Sequence, residues 1–259
     1  MGLAPFVTSS DLLQRSWKVI RVLNGGIVSK EGKGVSWFRY VNEDSCVTII
    51  AFKATQYSVV EPGLVKYSDL KEKKLFHDFD FLLPVESNPS FSVNNTAVSL
   101  FIENLTELNK LKSEINSSKP LIITGHALGG SVATLFTISL LDSIGSGKNR
   151  PLCITFGSPL IGDKGLQQAI SGSSNWNSCF LHVVSHKDPL PRLFITNHDS
   201  QTNDYMPFGT FLLCSDQNSA CFENPGSVLR QFEVFASNDG NQSSQPVDYG
   251  EIVKILNVK

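Results

Sequence analysis

The stretch Leu121-Ile122-Ile123-Thr124-Gly125-His126-Ala127-Leu128-Gly129-Gly130 runs from an apolar strand directly into an apolar helix. Small residues at 125 and 129 flank position 127 and let the strand and helix backbones approach closely. This pattern predicts a nucleophile elbow, a strained turn that holds its central residue at the end of a sheet with the next amide aimed at the same place. The central residue here is Ala127, and a methyl group cannot attack a carbonyl. Other Gly-rich turns fit less well. A phosphate loop wants a Lys after its glycines, where this chain has Ser131. A dinucleotide fingerprint needs a different glycine spacing and an acidic residue further on.

Around this turn, five short apolar runs carry the fold: residues 47–52, 121–124, 152–156, 180–185 and 211–214. Each is rich in Ile, Val, Leu and Phe with little alternation, as in strands covered on both faces. Residues 128–144 are apolar all round and predict a buried helix. Residues 104–116 place Leu105, Leu108, Leu111 and Ile115 at helical spacing, before Ser117-Ser118-Lys119-Pro120 ends the helix. Strands alternating with helices imply an α/β fold with a mostly parallel central sheet and helices on both faces. Residues 56–92 show no firm period, and the polar run 237–246 predicts a surface loop.

A chain of 259 residues suits one large α/β domain, which buries roughly three-quarters of its unfolded surface. With 22 basic and 24 acidic residues and no basic stripe, nothing supports a nucleic-acid partner. The run Lys71-Glu72-Lys73-Lys74 carries both signs and predicts a solvated helix face. Cys46, Cys153, Cys179, Cys214 and Cys221 include no short metal-ligand pair, and no metal or cofactor is expected. Their odd number points to a reducing compartment. Residues 1–10 lack a signal-peptide pattern, and no apolar run approaches the ~20 residues of a membrane span. The sequons at Asn94, Asn104, Asn116 and Asn241 would matter only in a secreted chain.

Three blocks in order, residues 124–130, 154–163 (Ile-Thr-Phe-Gly-Ser-Pro-Leu-Ile-Gly-Asp) and 182–192 (His-Val-Val-Ser-His-Lys-Asp-Pro-Leu-Pro-Arg), resemble the class 3 lipases, which have the α/β-hydrolase fold. Ser16-Trp17, Pro207-Phe208-Gly209-Thr210-Phe211 and Val247-Asp248-Tyr249-Gly250 narrow the likeness to the plant lipase-like immune regulators. These are the enhanced-disease-susceptibility, phytoalexin-deficient and senescence-associated carboxylesterase-like proteins, and the likeness is greatest to the senescence-associated branch. It covers nearly the whole chain, more poorly over residues 56–91. The chain is then expected to be a single lipase-like domain over residues 1–259, without the helical C-terminal domain that the family adds.

The resemblance implies a triad with two members replaced. Ala127 stands at the nucleophile position, Asp188 keeps the acid position, and Glu251 stands where catalytic relatives have the base His after Tyr-Gly. A carboxylate cannot shuttle the proton as a neutral imidazole does. Of the other histidines, His126 and His182 are expected to be structural. His198, the only one C-terminal to Asp188 in the sequence, is the sole candidate that keeps the usual Ser, Asp, His order. Ser131 and Ser139 follow the elbow on the helix and cannot point where Ala127 points. In Phe52-Lys53-Ala54-Thr55, the resemblance implies Thr55 as one oxyanion-hole donor, with the Leu128 amide as the other.

The expected function is that of a non-catalytic module in plant immune signalling, cytoplasmic and nuclear. It would form a heterodimer with an enhanced-disease-susceptibility-type partner whose apolar helix docks in a groove. Phe6, Val7, Leu12 and Leu13 are the candidate docking residues. Two alternatives remain open: an acyl hydrolase of lipid metabolism, and a lipid or small-molecule receptor that reuses the vestigial pocket.

Overall fold

A computed structural model describes residues 3–42, 47–55, 63–72, 77–83, 90–115, 119–142, 150–195, 205–216, 218–237 and 247–257. His198, Cys46, Asn116, Asn241, Lys73, Lys74 and residues 238–246 lie outside the described residues.

The chain enters through helices α1 (Leu3–Thr8) and α2 (Leu12–Asn24), then forms strands β1 (Lys30–Glu31), β2 (Val35–Val41) and β3 (Thr48–Ala54). A small antiparallel pair, β4 (Leu64–Lys66) and β5 (Ser92–Asn94), brackets α3 (Tyr67–Glu72) and a short 3-10 turn. Next come α4 (Asn95–Glu103), α5 (Leu105–Ser113), β6 (Leu121–His126), α6 (Leu128–Leu141) and β7 (Leu152–Phe156). Then follow α7 (Lys164–Ser171), α8 (Ser174–Asn177), β8 (Phe180–Ser185), β9 (Thr210–Cys214), β10 (Ser219–Phe222), α9 (Pro225–Ser237) and α10 (Tyr249–Asn257).

The five predicted strands are neighbours. The main sheet runs β1-β2-β3-β6-β7-β8-β9-β10. Its centre from β3 to β9 is parallel, and antiparallel strands close both edges. The pleat sends alternate residues to opposite cores. Ile50 and Phe52 join α4 and α6 on one face, while Ile49 and Ala51 join α2 and α10 on the other. This is the α/β-hydrolase arrangement.

Helix α6 is buried at every position, as its all-round apolar sequence requires. The helix expected over 104–116 is α5, and α4 leads directly into it with a kink on Asn104. The Asn104 side chain fixes the kink: its amide donates to the Leu100 and Lys33 carbonyls, and its oxygen accepts from the Lys33 N–H. Leu108 and Leu111 nonetheless face the core. The sequons at Asn94 and Asn104 are buried and hydrogen-bonded, which closes both to glycan transfer.

Two of the proposed docking residues need correction. Val7 and Leu13 are fully buried against the sheet, so they are core residues. Phe6 is 51% exposed, and Leu12 is half-buried. The amphipathic period of α2 explains this, since Leu13, Ser16, Ile20 and Leu23 share the inward stripe that Leu12 flanks.

Candidate active site

Strand β6 passes into α6 through one residue. Ala127 has φ 52° and ψ −130°, the only positive φ at a non-glycine position among the described residues. The surrounding backbone imposes this turn. A Cβ at Gly125 would lie 2.3 Å from the Gly129 carbonyl oxygen, and one at Gly129 would lie 2.5 Å from that of Phe52. Strand and helix therefore touch backbone to backbone, and Ala127 turns the corner with its N–H on the Phe156 carbonyl at 3.0 Å. No side chain caps the first turn of α6, so the Leu128 amide is left outside the helical ladder. Because Phe52 pairs with Gly125, the residues beyond each leave the sheet at the same end. Thr55 and Leu128 thus share the rim with Ala127. Thr55 is exposed, and its N–H is spent on the Gly34 carbonyl at 2.9 Å.

Asp188 follows β8 in a tight turn and is buried. Its Oδ1 accepts from the Leu190 N–H at 3.0 Å. Its Oδ2 accepts from the Tyr249 hydroxyl at 2.7 Å, and the same phenol oxygen accepts from the Ser185 N–H at 3.2 Å. Gly157, at φ 57°, closes the other side, where a Cβ would lie 2.2 Å from Asp188 Oδ2. Burial, and then the Asp188 charge, raise the Tyr249 pKa well above its ordinary value. The group therefore stays a protonated donor. The Asp188 carboxylate is thus held on both oxygens, by a backbone N–H and by a phenol.

Glu251 does not join this group. It is 63% exposed and paired with Lys254 at 2.6 Å. Two residues along a helix turn a side chain by about 200°, so α10 cannot aim both Tyr249 and Glu251 at Asp188.

The described histidines are engaged elsewhere. His126 packs edge-on against Trp17 and Tyr249, and burial lowers its pKa although Asp188 opposes the shift. His182 Nδ1 is 2.8 Å from Thr155 Oγ1, and burial lowers its pKa to about 4. His186 lies against the Cys214 carbonyl and Phe235. Ser131 Oγ faces Ser158 Oγ at 3.3 Å, and Ser139 Oγ donates to the Phe136 carbonyl, both buried.

Tyr249 and Trp17 are the residues that sequence reasoning did not assign to the site. Trp17 packs on His126, Phe156 and Tyr249, joining α2 to the elbow and to α10. Both belong to motifs that carry the family resemblance, which was the available signal.

A family model described as lipase (class 3) matches residues 66–198, just over half of the chain. Senescence-associated carboxylesterase 101 of Arabidopsis thaliana is 38% identical over 268 aligned residues, covering 98% of this chain and 46% of that protein. Lipase-like PAD4 of the same plant is 35% identical over 68% of this chain and 31% of its own length. The chain thus spans less than half the length of these relatives. Among solved structures, a triacylglycerol lipase from Penicillium expansum has the same fold at TM-score 0.64 and 13% identity, over 90% of this chain and 89% of that one. With its elbow, sheet and acid turn in their expected places, the chain belongs to the class 3 lipase family, and within it is similar to the plant lipase-like proteins.

Proposed function

We propose that this domain is a non-catalytic lipase-like module that acts in plant immune signalling by pairing with an enhanced-disease-susceptibility-type protein in the cytoplasm and nucleus. The observation that carries the non-catalytic half is the Tyr249–Asp188 hydrogen bond at 2.7 Å. The nucleophile position holds a methyl group, the acid is committed to a phenol, and Glu251 faces solvent. Losing the serine alone costs a triad hydrolase about 10⁶ in turnover. The pairing half rests on similarity to the plant lipase-like proteins and on exposed apolar side chains of the neighbouring helices α1, α2 and α10. Phe6 is exposed there, Leu12 is half-buried, and Ile255 of α10 is exposed. Such side chains suit the anchor pockets of helix-in-groove association.

Two measurements test this reading. Short p-nitrophenyl esters should show no turnover above a matched heat-killed control. Turnover that survives purification and disappears on Asp188→Ala would replace the reading with an acyl hydrolase. In a titration against the candidate partner, Phe6→Ala should weaken association about 5- to 150-fold in a protein that stays folded. Unchanged affinity would rule out this face.

A further inference from the structure

We draw no further inference here: the strongest candidate, the exposed apolar side chains of Ile27, Val28, Tyr40 and Val41 at the β1–β2 edge of the sheet, carries nothing because nothing in the structure shows what covers that patch.

Discussion

Ala127 adopts a conformation that L-residues avoid, without an attacking group to gain from it. The contacts of Gly125 and Gly129 dictate the turn whatever occupies position 127. Ala127→Gly should therefore stabilise the protein by about 1 kcal/mol, the strain relieved outweighing the entropy of a glycine. Urea denaturation measures this, and a loss of stability would mean that the turn is not strained. Chemistry is harder to restore. Ala127→Ser alone, or combined with Glu251→His, should give no ester turnover above the matched control, because a serine needs a base within hydrogen-bond reach. Residue 251 points into solvent, so its imidazole would not meet Asp188. Turnover in the double variant would show that α10 can rotate. Tyr249→Phe tests the bond that holds the Asp188 carboxylate. It removes a donor from a buried carboxylate and should cost about 1–3 kcal/mol in the same denaturation experiment; no cost would mean that water substitutes for the phenol.

Among elements, the N-terminal helices separate stability from association. Leu13 is 1% exposed, so Leu13→Ala should lower stability by about 2–5 kcal/mol, whatever it does to a partner. Phe6→Ala should leave the unfolding midpoint within experimental error and act on association alone. Measuring both properties for both variants checks the division, and a reversed pattern would move the docking surface elsewhere. The four apolar side chains Phe6, Val7, Leu12 and Leu13 look alike in the sequence, and only the packing of α1 and α2 on the sheet divides them. Asn104 teaches a similar lesson. The leucine spacing through 105–115 was readable because it records one buried stripe. The kink depended on a hydrogen bond to Lys33, 71 residues away, which no local pattern reports.

At the scale of the molecule, stability should depend on pH through His182. Its folded pKa is about 4 against an ordinary 6.5, because burial disfavours the imidazolium. The folded state thus binds fewer protons than the unfolded state between those values. The stability this contributes is fully present above pH 6.5 and is lost as pH falls toward 4, by up to about 3 kcal/mol. Denaturation at pH 7 and pH 5 should show the loss, and His182→Gln should flatten it. An equal slope in that variant would assign the dependence to other groups.

The sequence by itself determined the five strands of the parallel centre, the buried helix α6 and the methyl side chain at the turn between them. Each of these is written locally, as an unbroken apolar run, an all-round apolar helix or glycines flanking one residue. The antiparallel strands β1, β2 and β10 escaped that reading, because they are short or half-exposed and lack a continuous apolar run. Tertiary structure alone decided what became of the acid. Asp188 and Tyr249 are 61 residues apart in the chain, and the phenol reaches the carboxylate only because α10 packs on α2 beside the elbow. The family resemblance put Glu251 at the base position, whereas the helical turn carries it to the opposite side and brings Tyr249 inward. Burial of an aromatic ring fixes that rotation, since the apolar side of Tyr249, Val253 and Leu256 must face the core.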